Sequence, residues 1–118
     1  MFVPFTIMIK IYEYYGLEVY FENDKQLPIR VFAKRDKAIS FKIIRFKEGL
    51  LDITRDKQTN HPLDEQDQAL FNNIFDTNIS VIIKNWIDYF VYERKLQTEI
   101  ITKKIELADL QNFGKTSR

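Results

Sequence analysis

The chain contains no cysteine, which excludes disulfides, zinc–thiolate sites, iron–sulfur clusters and thiol nucleophiles together. A single histidine, His61, leaves little room for a metal cage or a His-centred triad. Glycine and proline are scarce, with three of each, which argues against glycine-rich phosphate loops and long disordered segments. Neither sign of charge dominates, since 18 Lys and Arg face 17 Asp and Glu. The strongly basic signature of a dedicated nucleic-acid binder is missing, and so is the acidic bias of a disordered tail. Long apolar runs are also lacking. The longest, residues 79–92, is broken by Lys84 and Asp88 and falls short of the roughly 20 residues a bilayer span needs. The opening Met1-Phe2-Val3-Pro4-Phe5 carries no basic region, and Lys10 interrupts the apolar stretch behind it. No export signal is read there, and a cytoplasmic location is expected.

What remains is core-forming material. Of 118 residues, 45% are hydrophobic and 14% aromatic, enough for one domain to close a core without staples. Residues 7–55 alternate as strands do. Ile7, Ile9 and Ile11 point one way, with Met8, Lys10 and Tyr12 opposite. Gly16 punctuates. Leu17, Val19 and Phe21 then alternate with Glu18, Tyr20 and Glu22 before the turn at Asn23-Asp24. Ile29, Val31 and Ala33 alternate with Arg30, Phe32 and Lys34, and Arg35-Asp36-Lys37 supplies the next turn. Ile39, Phe41 and Ile43 continue the pattern, but the phase slips at Ile44 and Phe46. That slip predicts a bulge or twist near Ile43-Ile44, because a one-residue shift turns every later side chain to the other face. Glu48-Gly49 reads as a hairpin turn leading to Leu51 and Ile53. Connections this short admit only an antiparallel meander.

After Asp56 the period changes. Residues 57–62 form a polar connection, and Asp64, Glu65 and Asp67 place carboxylates where a helix N-terminus favours them. Leu70, Phe71, Ile74 and Phe75 make an apolar stripe, and Thr77-Asn78 ends one helix and caps another. Ile79, Ile82, Ile83, Trp86, Ile87, Phe90 and Val91 follow helical spacing. So apolar a helix is expected to be covered over most of its circumference, under the sheet or between two chains. Residues 98–105 are rich in β-branched types and read as a short strand in preference to a short helix. The expected architecture is one α+β domain over residues 1–110, with an N-terminal antiparallel meander of four to five strands packed on two C-terminal helices. Residues 111–118 form a frayed tail. The expected core includes Ile9, Ile11, Leu17, Val19, Phe21, Ile29, Val31, Ile39 and Phe41 from the strands. The helices add Leu70, Phe71, Ile74, Ile82, Ile83, Trp86, Ile87 and Phe90.

Candidate chemistry is thin. His61 precedes a proline in a polar loop and reads as a solvated residue before it reads as a ligand. Ser80 and Lys84 stand four apart, the spacing of a Ser–Lys nucleophile–base pair, yet both belong to the wet stripe of the second helix. Asp64, Glu65 and Asp67 are accounted for by helix capping, so no metal and no cofactor is expected. Charge placement is more informative. Residues 1–47 hold nine basic and five acidic side chains, and residues 48–95 hold five and nine. Arg30, Phe32 and Lys34 share one strand face, with Lys42 nearby, and Tyr12 and Tyr20 belong to the same half. Cations interleaved with aromatic rings suit either a protein interface or a platform for single-stranded nucleic acid.

Two stretches carry a family likeness. The first runs Ile11-Tyr12-Glu13-Tyr14-Tyr15-Gly16-Leu17-Glu18-Val19-Tyr20-Phe21, then Asn23-Asp24 and Pro28-Ile29-Arg30-Val31-Phe32. The second is Lys84-Asn85-Trp86-Ile87-Asp88-Tyr89-Phe90-Val91. Together they resemble a bacterial family of small proteins, domain of unknown function family 4160, over residues 10–105. Where that family carries two alternating histidines, this chain has Arg30 and Phe32, which can neither ligate a metal nor shuttle a proton. The resemblance implies an α+β fold and a gene neighbour in a toxin–antitoxin-like pair, and it implies no reaction. The expected function is therefore a non-enzymatic interaction module whose partner is a second small protein or itself. Its expected binding residues are Arg30, Phe32, Lys34, Tyr12 and Tyr20. Nucleic-acid binding by the same face is the alternative, and a hydrolase or nuclease with an unrecognised site is third. No membrane partner is expected.

Overall fold

The structure is a computed structural model that describes residues 8–23, 27–47, 50–54 and 61–106. Five strands form the meander: β1 (Met8–Tyr14), β2 (Leu17–Glu22), β3 (Ile29–Arg35), β4 (Ala38–Lys47) and β5 (Leu50–Thr54). Two helices follow, α1 (Glu65–Thr77) and α2 (Ile79–Phe90), and then a two-residue strand, β6 (Glu99–Ile100). The sheet order is β5-β4-β3-β2-β1-β6, with every meander pair antiparallel and β6 parallel to β1. The architecture is the α+β one read from the sequence, including a strand rather than a helix within 98–105. The expected turn at Glu48-Gly49 and the tail at 111–118 lie outside the described residues.

The β1–β2 connection shows how local chemistry fixes register. Tyr15 (φ +44°) and Gly16 (φ +89°) both take positive φ, the pairing that lets a two-residue hairpin loop match strand twist. Tyr14 thus faces Leu17, and pairing runs back to Met8 opposite Glu22 with one irregularity between Lys10 and Tyr12. This is the sheet's bulge, at Ile11. The bulge expected near Ile43-Ile44 is absent: β4 pairs in continuous register with β3 from Ala38 to Ile44 and with β5 from Ile43 to Lys47. Ile43 and Ile44 are both buried because the sheet is apolar on both faces there. The phase slip in the sequence reflects that two-sidedness and no extra residue.

Both helices lie on one face. Leu70, Phe71, Ile74 and Phe75 of α1, with Ile82 and Trp86 of α2, join Leu17, Val19, Phe21, Ile29, Val31 and Ile44 in a single apolar cluster. Asp64 caps α1, its Oδ1 accepting from the Asp67 N–H at 2.8 Å. Asn78 sits between the helices, but its amide donates back to the Ile74 carbonyl and gives α2 no side-chain cap. The chain reaches α1 across the edge of β4, where the Ile39 N–H donates to the His61 carbonyl and the Leu63 N–H donates to Ser40 Oγ. Helix α2 is not covered on most of its circumference. Ile87, expected in the core, is 37% exposed, and Val81 and Val91 are exposed beside it. Only the stripe through Ile82 and Trp86 rests on the sheet. Ile39 and Phe41 are also corrections: both are half-buried and lie on the sheet face away from the helices. No helix of the described residues is long and apolar enough to cross a membrane.

Candidate functional site

Alternation along β2, β3 and β4 sends every second side chain to the face the helices do not touch. In-register pairing then lines these side chains up across strands. Glu13, Glu18, Lys34 and Ile39 make one row, and Lys10, Tyr20, Phe32 and Phe41 make the next. The Tyr20 and Phe32 rings stack at 5.4 Å between centroids with planes 18° apart. Phe32 and Phe41 follow at 5.4 Å and 32°. Such cross-strand aromatic contacts are the unit by which a sheet face is stabilised. Tyr20 and Ile43 are enclosed on this face, whereas Phe32 and Phe41 remain half-buried.

Of the expected binding residues, four therefore come together: Arg30, Phe32 and Lys34 alternate on β3, and Tyr20 lies against Phe32. Tyr12 does not join them. The bulge at Ile11 reverses its side, so it faces Val19 and is buried at 2% exposure in the helix-side core. Lys42 is likewise on the helix side, where its ammonium lies 5.7 Å and 5.3 Å from the ring centroids of Phe71 and Phe75. Sequence reasoning missed Phe41, Ile39 and Ile43 as members of this face. Their alternation with Arg30-Phe32-Lys34 across a tight turn was the available signal.

The charges around the ladder are divided. Lys10 donates to Glu13 at 3.0 Å and to Glu18 at 2.6 Å. Hydrogen bonds to Glu18 and then Glu13 hold its pKa above the ordinary lysine value. Arg30 and Lys34 have no ion pair among the described residues. Burial, reinforced by the nearby Glu22 and Glu18 carboxylates, pushes the Tyr20 phenol up from 10.0 to about 12. Its folded-state value exceeds the unfolded one, so the unfolded chain loses that proton first and stability falls as pH rises between the two. Burial also raises the Tyr12 phenol, so ultraviolet titration of the phenolates should show a high-titrating component that loses one tyrosine, ionising near pH 12, in Tyr20→Phe. Ionisation of Tyr20 at the ordinary value would mean the ladder is open to water.

The remaining candidates lie away from this face. His61 is an exposed loop residue. Lys84 pairs with Asp88 at 2.7 Å, so it is held away from duty as a base for Ser80. The Asp88 carboxyl lies below its usual range chiefly through that hydrogen bond. Asp67 pairs with Arg35 at 2.8 Å. No three His, Asp or Glu side chains gather in a metal-holding group among the described residues. A cleft of about 620 Å³ opens between Tyr14, Tyr15, Arg35, Asp67, Leu70 and Ile105. The Arg35–Asp67 pair in its wall is tied further to the β1–β2 turn, since Arg35 also donates to the Tyr15 carbonyl at 2.7 Å. No protein-family model matches the chain, and no curated protein or solved structure matches it.

Proposed function

We propose that this chain is a non-enzymatic protein-interaction module that receives a second polypeptide on the sheet face away from both helices. One observation supports this above all: the Tyr20–Phe32–Phe41 ladder lies on the face away from both helices, with the Phe32 and Phe41 rings half-buried. An apolar centre rimmed by charged residues is the anatomy of an interface. Phe32 is the anchor and Arg30 a rim charge. The partner is a second small protein, as in a toxin–antitoxin-like pair, or another copy of the chain.

The alternative, nucleic acid, asks for a positive field along the same face. Lys10, Arg30, Lys34 and Arg45 are there, but Glu13, Glu18 and Glu22 stand among them, and Lys10 is already shared by two carboxylates. That near-neutral surface favours a polypeptide. With the partner captured from the native host, Phe32→Ala should cost about 2 kcal/mol of binding, roughly thirtyfold in affinity. Unchanged affinity removes this face from the reading. Capture of nucleic acid that dissociates steeply with salt would instead favour the alternative.

A further inference from the structure

We propose that the cleft between the β1–β2 hairpin, the first turn of α1 and residues 104–106 is a binding site for a small zwitterion with an apolar body, a free amino acid or dipeptide carrying a branched or aromatic side chain. The site is separate from the aromatic ladder and does not depend on what that face receives.

Hydrogen bonds pin the frame of this cleft from segments far apart in the chain. Arg35, at the end of β3, holds both Asp67 of α1 and the Tyr15 carbonyl. Tyr15 Oη donates to the Thr102 carbonyl at 2.6 Å, and the Ile105 N–H donates to Tyr14 Oη at 2.9 Å. The walls are therefore set before a ligand arrives, and about 620 Å³ falls within the range of small-molecule sites. Inside this frame polar capacity is left over. Tyr14 is only 5% exposed. Its hydroxyl accepts from Ile105, and no described residue accepts its proton. A buried donor asks for an acceptor. Arg35 commits Nε to Asp67 and Nη1 to Tyr15, and Asp67 accepts through Oδ2, so neither Nη2 nor Oδ1 hydrogen-bonds a described residue.

The charge lining selects the ligand. Lys104 and Glu106 are exposed and make no ion pair among the described residues. With Arg35 and Asp67 they give the cleft two cations and two anions. A simple anion would meet Asp67 and Glu106 along with its partners, and a simple cation would meet Arg35 and Lys104. A molecule carrying both charges satisfies all four. Its carboxylate accepts from Tyr14 Oη, Arg35 Nη2 and Lys104, and its ammonium donates to Glu106 and Asp67 Oδ1. The apolar body covers Leu70 and Ile105 beside the Tyr14 and Tyr15 rings, which meet edge to face at 4.7 Å.

Amide chemical-shift titration of the full chain with L-leucine and L-phenylalanine tests this. Both should bind saturably and move the Tyr15, Gln66, Asp67, Leu70 and Ile105 amides together. Isocaproate, which is leucine without its ammonium, and isoamylamine, which is leucine without its carboxylate, should each bind about tenfold or more weakly. Lys104→Ala and Glu106→Gln change exposed rim groups and leave the frame intact. Each should weaken leucine about two- to fivefold, and Glu106→Gln should shrink the preference for leucine over isocaproate by the same factor. Tyr14→Phe, with circular dichroism confirming its fold, should weaken leucine and isocaproate alike, about tenfold. Shifts that do not saturate, or that centre elsewhere on the chain, overturn the site. Isocaproate or isoamylamine binding as tightly as leucine overturns the zwitterion, and so does leucine binding indifferent to both rim substitutions. None of these outcomes touches the reading of the aromatic ladder, which stands or falls on Phe32→Ala.

Discussion

Phe71→Ala should destabilise the protein by about 3–5 kcal/mol, the range for removing a fully enclosed ring. Phe71 has no exposed surface and sits where α1 meets the sheet. Its ring is in edge contact with Phe75 at 6.1 Å, and the Lys42 ammonium lies over it. Alanine would leave a void that neither neighbour can fill, because Phe75 and Ile74 are themselves fully packed. Lys42 would also lose one of the two rings that accept its charge. Domains of this size are stable by only about 5–15 kcal/mol, so about a fifth or more of the total would go. Thermal and urea unfolding of Phe71→Ala beside Phe71→Leu measures it. Leucine refills most of the volume and should cost much less. A loss below about 1 kcal/mol for alanine would place Phe71 outside the core.

Asp67→Ala should cost about 2 kcal/mol through a different cause, an uncompensated charge. The Arg35 guanidinium is held by Asp67 through Nε at 2.8 Å and by the Tyr15 carbonyl through Nη1. It also lies against Gly16: a β-carbon there would come 2.8 Å from Nη1. The guanidinium thus ties the β1–β2 hairpin to the first turn of α1. Removing Asp67 leaves the cation in place with its main partner gone. Arg35 keeps about a third of its side chain in solvent, which holds the loss below that of a fully buried pair. The check is a double-mutant cycle with Arg35→Met. If the pair is the cause, the double variant should be no less stable than Asp67→Ala alone. Additive losses would assign the effect to lost helix-dipole stabilisation at α1 instead.

How far the sequence reveals this structure varies with the strength of its periodicity. β2 and β3 alternate Leu17, Val19, Phe21, Ile29, Val31 and Ala33 with Glu18, Glu22, Arg30 and Lys34, enough to fix phase even with Tyr20 and Phe32 on the polar side, and their faces read correctly. The α1 stripe and the Ile82–Trp86 stripe of α2 read equally well. β1 is different. Tyr12, Tyr14 and Tyr15 follow Ile11 without a polar residue to mark phase beyond Glu13, so a bulge leaves no trace in the pattern, and Tyr12 goes to the wrong face. At Ile43-Ile44 both faces are apolar, and continuous register looks like a slip. In α2 the apolar residues outnumber the positions the sheet can cover, so Ile87 reads as core and emerges on the surface. β6 shows no alternation, since both its residues are exposed; only the β-branched content of 98–105 pointed to a strand, and its pairing with β1 is non-local. Of the candidate surface, the β3 triad was legible because it alternates. The contribution of β4 required knowing which of its two apolar faces the helices take.

The pairing of β6 with β1 has a consequence for how the chain comes to be folded. The outer edge of β1 is closed by residues that follow it by more than eighty positions. The Ile101 N–H donates to the Glu13 carbonyl, Thr98 Oγ1 to the Lys10 carbonyl, Tyr15 Oη to the Thr102 carbonyl, and the Ile105 N–H to Tyr14 Oη. A ribosome delivers these residues after both helices, so the edge of β1 is satisfied only after the rest of the described meander has emerged. Until then the nascent meander carries an unpaired strand edge open to any neighbouring chain, and closing it requires bringing together the most distant parts of the described chain.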